Sequence, residues 1–411
     1  GDWTNNGTFT AGTHGVTFDG STAQSIFGFS SFYNLISNGS VVNLQSDLNH
    51  QMGILYIYNN LTVSSSSTFD FNSRTVTISG ASDINGTLTA STGTYDANGA
   101  FDATNGNITF TDAGNLKLGS TVTSLGTFTR GTSKITYDGS SPQNIYNANY
   151  YDLTINNSSG TNLIAGTSVN GNLDLSQGII NHNTHTLSLT TVSNASNSSH
   201  THNGHVFKHF DSTSPFTCPV GDGTNYRPIT LTSSTTNTNS LSAAYMFAAQ
   251  NQSSLNSSLS SIETYGWDIQ RSTGSDGFNI TIPFDASYSI TDFNNLTIAM
   301  FDGTEWTEVP STVTGTASSG SVTTNTAVSD FSNRYFALGY KSIPKTYVPD
   351  DNFEAYLETH DASGNVVSVG DANSMGDGIA NNDYVITANI SGVTNLDVNN
   401  QNIAALTGIE D

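Results

Sequence analysis

Apolar residues at alternating positions run through the first half of the chain. Leu61-x-Val63, Phe69-x-Phe71 and Val76-x-Ile78 form one series. Leu173-x-Leu175, Ile179-Ile180 and Leu187-x-Leu189 repeat it further along, with Ile108-x-Phe110 and Leu116-x-Leu118 between. Asn, Gly, Ser and Asp separate the pairs. Period-two alternation over so few residues predicts strands of three to five residues with one face inward. Such strands suit a parallel β-solenoid, or β-helix, whose coils each add short strands to stacked sheets. At roughly 20–25 residues and about 4.8 Å per coil, residues 1–197 would make a rod about 40 Å long. A sandwich of hairpins is the alternative, but two-residue hairpin signals are rare in this stretch.

A longer period lies over the short one. Residues 7–26, GTFTAGTHGVTFDGSTAQSI, match residues 126–145, GTFTRGTSKITYDGSSPQNI, 119 positions on. Phe18 aligns with Tyr137, Asp19-Gly20 with Asp138-Gly139, and Gln24 with Gln143. The match continues one residue out of step through Phe32-Tyr33-Asn34-Leu35 and Tyr150-Tyr151-Asp152-Leu153. Self-similarity on this scale marks a repeat architecture, each large repeat being several coils.

The pattern changes at residues 198–341. Strands lengthen, as in Arg227–Thr232, Ala243–Phe247, Gly266–Gln270, Phe278–Ile282, Leu296–Phe301 and Arg334–Leu338, and Ser/Thr/Asn loops divide them. Six or more such strands predict an Ig-like β-sandwich. Residues 342–347 read as a linker. Residues 348–411 open with the one clear helix signal, Pro349 and Asp350 before Phe353, Tyr356 and Leu357 on one face. They close on Leu396-x-Val398-x-x-Gln401-x-Ile403-x-x-Leu406-x-Gly408-Ile409, a leucine-rich pattern with Gln401 at the usual Asn position. The expected fold class is therefore mainly β: a solenoid, a sandwich, and a small α+β leucine-rich-repeat cap.

Composition narrows the function. Only 10% of the 411 residues are charged, and 33 Asp and Glu against 10 Lys and Arg give a formal net charge of −23. A chain so short of cations is not built to neutralise phosphates, which excludes nucleic acid, and it would be repelled by an anionic membrane surface. No apolar run approaches the roughly 18 residues that span a bilayer. Cys218 is the sole cysteine and is expected to be a buried small hydrophobe. No signal peptide is visible, and both ends fall inside repeats, so the chain reads as a piece of a longer polypeptide.

Three motifs carry a resemblance. The first repeats resemble the N-G-T-F-T-x-G…V-T-F-x-G…Q-x-I regions of secreted surface proteins of Bacteroidota, flavobacteria above all. Thr217-Cys-Pro-Val-Gly-Asp-Gly-Thr-Asn-Tyr-Arg-Pro-Ile-Thr-Leu231 is similar to the F-P-V-G-x-G-x-x-Y-R-P-[IV]-T-L signature of a β-sandwich in those proteins, with Cys218 replacing the aromatic residue. The last segment resembles the N-terminal cap and first turn of internalin-like leucine-rich repeats. The resemblance implies type IX export and an extracellular or outer-membrane-surface location. It implies an adhesin that meets a protein or glycan ligand.

Candidate chemistry is sparse. His200, His202, His205 and His209, with His182 and His185 upstream, have a spacing compatible with a metal site, or are polar residues at a domain junction. His200 and His202 should share a strand face. Asp371, Asn373, Asp377 and Asp383 partly resemble a calcium loop, although Met375 stands where an oxygen ligand belongs and Asn382 where a bidentate Glu belongs. The bland reading is an Asp/Asn/Gly turn. Glycosidases need paired carboxylates and lyases a cationic base; residues 1–197 hold only Arg74, Lys117, Arg130 and Lys134, well dispersed. Tyr56, Tyr58, Phe32 and Tyr33, and Tyr146, Tyr150 and Tyr151, are either sugar-stacking platforms or coil-packing residues. These observations predict a non-catalytic interaction protein, with solenoid and sandwich as stalk and the leucine-rich segment as recognition module. The alternative is a secreted carbohydrate-binding or carbohydrate-active protein with its site on the solenoid flank.

Overall fold

The structure, a computed structural model, describes residues 1–407 apart from 6, 8, 29, 46–53, 250 and 333. It is mainly β, with 49% strand and 4% helix, and its first half is a parallel β-solenoid of about ten turns. The coils have three faces. One sheet stacks seven strands from Trp3–Asn5 to Thr127–Thr129. A second runs through Ile54–Ile57, Thr75–Ile78, Thr94–Ala97 and Asn115–Leu118 to Lys134–Tyr137 and beyond. A third stacks six strands from Gly15–Phe18 to Val122–Ser124. The chain returns to each face after a nearly constant length: Leu61 pairs with Ser82, Ser82 with Phe101, Lys134 with Asp152 and Thr161 with Ile180.

Alternation delivers every second side chain to the interior. Leu55, Val76, Tyr95, Leu116, Ile135 and Leu153 stand in register up one face, all fully buried. Val42, Phe69, Leu88 and Ile108 do the same on another. At the corners, successive coils touch backbone to backbone. A Cβ on Gly99 would run into the Gly80 carbonyl oxygen, so this position admits only glycine without displacement.

The structure gives the long repeat a geometric meaning. Gly15–Phe18 pairs with Asn34–Ser37, and its repeat mate Lys134–Tyr137 pairs in the same way with Asp152–Asn156. Yet the first pair belongs to the third face and the second pair to the second face. The unit recurs rotated by one face about the solenoid axis. The one-residue slip in the alignment is also explained, because Lys134 reaches its partner Asp152 one residue sooner than Gly15 reaches Asn34.

Gln24 and Gln143 hold equivalent corners. Gln24 Oε1 accepts from the Gly20 amide at 2.7 Å, and Gln143 Oε1 from the Gly139 amide at 2.8 Å. Gln143 Nε2 donates to the carbonyls of Leu118 and Ser120, and its Oε1 also accepts from Asn157 Nδ2. One buried carboxamide thus satisfies backbone groups on two coils. The apolar contact of Phe18 with Phe32 in the first copy becomes the hydroxyl pair Tyr137–Tyr150, 3.1 Å apart, in the second.

The parallel ladder does not stop at residue 197. Ile180–Asn181 pairs with Thr201–His202, and Leu187–Ser193 with Val206–Phe210. The far edge of Val206–Phe210 then pairs antiparallel with Asn239–Met246. One strand closes the solenoid and opens the antiparallel region. Gly266–Thr273 and Arg334–Lys341 continue that sheet. A five-stranded antiparallel sheet holds Phe216–Cys218, Ile229–Ser233, Phe278–Asp285, Ser319–Thr324 and Ser311–Thr316. The two sheets meet through Phe210 against Phe278, and through Phe331 between Phe278 and Phe336. Cys218 is buried here, as its strand-like context suggested.

Residues 257–261 and 340–411 form a separate compact unit. Its helix is Asp351–Thr359, capped by Asp350, whose carboxylate accepts from the amides of Asn352 and Phe353. Phe353, Tyr356 and Leu357 are buried against Val348, Met375 and Val385. Val393, Leu396, Val398 and Ile403 pack on this core at partial burial, but residues 393–407 form no strand. Gln401 is exposed, and Gly408 and Ile409 lie outside the described residues.

Replacing Gln143 by Leu strands the Gly139 amide and the Ser120 carbonyl, while the Leu118 carbonyl keeps the Asp138 amide. At about 1–3 kcal/mol per orphaned group after relaxation, the loss should be about 2–5 kcal/mol. Gln24→Leu, with fewer bonds at a more open corner, should cost less. Urea midpoints and amide exchange at Gly139 would test both the magnitude and the order; a larger loss at Gln24 would contradict the corner role.

Candidate functional site

The histidines lie where the solenoid hands over to the antiparallel region, but they do not converge. His182 is fully buried; its Nδ1 sits 3.2 Å from the His185 carbonyl, which makes that nitrogen the donor. Nε2 then carries a buried lone pair without a partner. Burial pushes the His182 pKa down to about 3, against the opposing bond to His185. His200 is buried at a turn before its strand, with Nδ1 on the Ser196 carbonyl and Nε2 accepting from the Gly223 amide at 3.3 Å. His202 lies in register with Asn181 and Asn162, is half-buried, and like His200 has its ring beside Gly223. His205 contacts Ser242 Oγ and Asp268 Oδ2, and His209 contacts Ser240 Oγ. Among the described residues, no three His, Cys, Asp or Glu side chains gather to hold a metal ion.

The segment Thr217–Leu231 wraps around these histidines. The Thr201 amide donates to the Pro219 carbonyl, and the Gly221 amide returns to the Thr201 carbonyl. A Cβ on Gly221 would lie 2.5 Å from the His200 ring, so glycine lets the loop close over it. Asp222 accepts from the amides of Thr224 and Asn225, which fixes the turn. The Gly-Asp-Gly signature thereby extends the last solenoid sheet by one bridge, Thr201 to Val220.

Beyond that turn, Arg227 anchors an aromatic group. Its Nη1 donates to Ser287 Oγ at 2.8 Å and its Nη2 to the Ser287 carbonyl, and Asp222 lies 3.9 Å from Nε. The guanidinium sits 4.1 Å over the Tyr288 ring and 5.5 Å from that of Tyr265. Trp267 Nε1 donates to the Arg227 carbonyl. Over this base opens a depression of about 410 Å³ lined by Thr217, Tyr226, Pro228, Thr230, Pro283, Phe284, Asp285 and Tyr288. Burial pushes the Tyr226 phenol up to about 12 and that of Tyr288 higher still, so both are neutral donors at ordinary pH.

The acidic loop is organised by residues that sequence reasoning missed. Glu354 and Glu358, one helical turn apart and fully buried, aim their carboxylates at backbone amides of the loop. Glu358 accepts from Asp377 and Gly378, and Glu354 from Asn382 and Asp383. Burial raises the Glu358 pKa, partly offset by these amides. Two of the four calcium-loop residues already accept protein hydrogen bonds. Asp371 accepts from the amide and side chain of Asn373, and Asp377 Oδ2 accepts from Lys345 Nζ at 2.8 Å and Asn382 Nδ2. An ammonium thus stands at Asp377 Oδ2, while at Asp383 it is the backbone amide, not the carboxylate, that Glu354 holds. The only sequence signal for the two glutamates was their i, i+4 spacing on an otherwise apolar helix face.

The aromatic clusters divide. Phe32 and Tyr150 are interior, whereas Tyr56 and Tyr58 are 41% and 57% exposed. No helix among the described residues is long and apolar enough to cross a membrane. Comparison with protein-family models, curated proteins and solved structures finds no match to this chain.

Two outcomes follow from these sites. Below about pH 6.5 an unfolded histidine takes up a proton that buried His182 refuses until about pH 3. Stability should therefore fall as pH drops through that window, by up to about 1.4 kcal/mol per unit for this residue. His182→Leu should flatten the slope in urea titrations at pH 4–7. In the C-terminal unit, a Cβ on Gly376 would run into the Glu358 carboxylate. Gly376→Ala should raise amide exchange at Asp377 and Gly378 at least tenfold; unchanged protection would mean that Glu358 does not hold the loop.

Proposed function

We propose that this chain is part of an extracellular, non-catalytic surface-interaction protein of the adhesin type, displayed at or released from the cell surface. The solenoid and the antiparallel region, read as an Ig-like sandwich, form a stiff spacer. The C-terminal unit, read as a leucine-rich-repeat cap, belongs to the recognition end, whose ligand is a protein or glycan surface. The observation that carries this reading is the shared strand Val206–Phe210, bonded to the solenoid on one edge and to the antiparallel sheet on the other. A hinge there would have to break backbone hydrogen bonds, so the two parts move as one body. The scarcity of cations and the resemblance to exported Bacteroidota proteins support the surface location.

A second reading, carbohydrate binding on the solenoid flank, is favoured by the exposed pair Tyr56 and Tyr58.

Beads coated with the chain should be retained on polysaccharide- or matrix-protein-coated surfaces at least tenfold over albumin-coated beads. With so few ion pairs to screen, retention should change less than about twofold between 50 and 500 mM salt. Retention equal to albumin on every surface would reject the proposal, and release of soluble sugar during contact would reject its non-catalytic part.

A further inference from the structure

We infer that the depression between the Tyr226-Arg227-Pro228 segment and the Pro283–Tyr288 turn is a binding site for a neutral oligosaccharide. The inference stands apart from the spacer reading and places the site on the antiparallel region rather than on the solenoid flank.

The lining has the two chemistries a sugar ring presents. Pro283, partly exposed, supplies apolar wall for C–H faces, and the nearly buried Pro228, Phe284 and Tyr288 form the floor behind it. Thr217 Oγ1 and Thr230 Oγ1 stand 2.8 Å apart, and such a pair keeps one free donor and spare lone pairs. Asp285 turns Oδ1 toward Ser287 and leaves Oδ2 to accept two ligand hydroxyls. Tyr226 adds a phenol that stays protonated. A pocket of mostly apolar walls with a few placed polar groups is the general form of a small-ligand site.

The site is also preorganised. Arg227 is tied to Ser287 and Asp222 and lies under the Tyr288 ring, so that ring cannot rotate away. Thr217 and Thr230 sit on paired strands, Phe216–Cys218 and Ile229–Ser233. Little ordering is left for a ligand to drive. The charge selects the class: Arg227, the cation beside the depression, is already paired, and Asp285 faces the opening. Uronates, phosphates and sulfated chains would meet a carboxylate with no free cation to balance it, whereas a neutral polyol meets only acceptors and donors.

Calorimetry with cellohexaose, xylohexaose, mannohexaose and laminarihexaose at up to about 5 mM tests this on the whole chain. At least one should bind with a Kd between about 10 μM and 1 mM. Tyr226→Ala and Asp285→Asn should each weaken it at least tenfold, with melting temperature unchanged to show that the fold survives. Tyr226→Phe, which keeps the ring, should lose less. Hexagalacturonate should bind more weakly than the best neutral ligand. The inference fails if none of the four binds, if the Tyr226 and Asp285 variants bind normally, or if the acidic oligomer binds best. It fails equally if Tyr56→Ala/Tyr58→Ala abolishes binding, because the site would then be the solenoid flank.

Discussion

In a parallel coil, the amides and carbonyls of one turn point at the turns above and below, so no turn can satisfy its own backbone. Everything else in the solenoid answers to that constraint. Coils must sit about 4.8 Å apart over their whole length, and corners, where the chain changes direction, must come as close as the faces do. Gly80 and Gly99 occupy corners for this reason. Gln24 and Gln143 answer it differently: where the corner geometry leaves backbone groups unpaired, a buried carboxamide supplies donor and acceptor together. A hydrophobic stack alone would fix the inward faces but not the register of the corners.

The same constraint decides how the solenoid ends. A last coil exposes a full edge of unpaired groups, which invites pairing with another chain. Here two of the sheets are carried into the antiparallel region, one through Val206–Phe210 and one through the bridge from Thr201 to Val220. The Gly-Asp-Gly turn is the second of these covers, and His200 is the side chain it closes over. The antiparallel region is thus a cap as well as a neighbour. The buried histidines here, with the unpaired Nε2 of His182 among them, mark the handover as the place where packing was compromised for closure, in contrast to the apolar columns of Leu, Ile and Phe below it.

Much of this was legible in the sequence, and the parts that were not share a cause. Period-two alternation located the strands, and the long repeat showed that coils recur. It did not show that the second copy is turned by one face, because alternation reports which side chains point inward and not which side of a three-sided coil they occupy. Gln24 and Gln143 aligned, but a buried glutamine and a turn glutamine look alike in one dimension. Glu354 and Glu358 were hidden for the opposite reason: acidic residues on a helix are expected in water, and only the fold reveals that their partners are the amides of a loop well downstream. In the leucine-rich pattern Leu396, Val398 and Ile403 pack inward at partial burial, but Leu406 is 45% exposed and residues 393–407 form no strand. A repeat strand needs a bonded neighbour, and local pattern cannot supply one.

The aromatic depression follows from the capping requirement as well. To close over the solenoid, the chain must leave the Thr201 bridge and re-enter a strand within a few residues, and Asp222 fixes that turn. Arg227, held between Asp222 and Ser287, locks the returning strand to the Pro283–Tyr288 turn. Proline on either side of such a clamp removes amide donors where no partner is available and fixes φ, so the walls of the depression are rigid at little conformational cost. A recess that is stiff, apolar in its walls and polar at its rim is therefore a by-product of sealing the solenoid, and a by-product of that shape needs only a few side chains, here Tyr226, Thr230 and Asp285, to become a site for a ring with one greasy face and a fringe of hydroxyls.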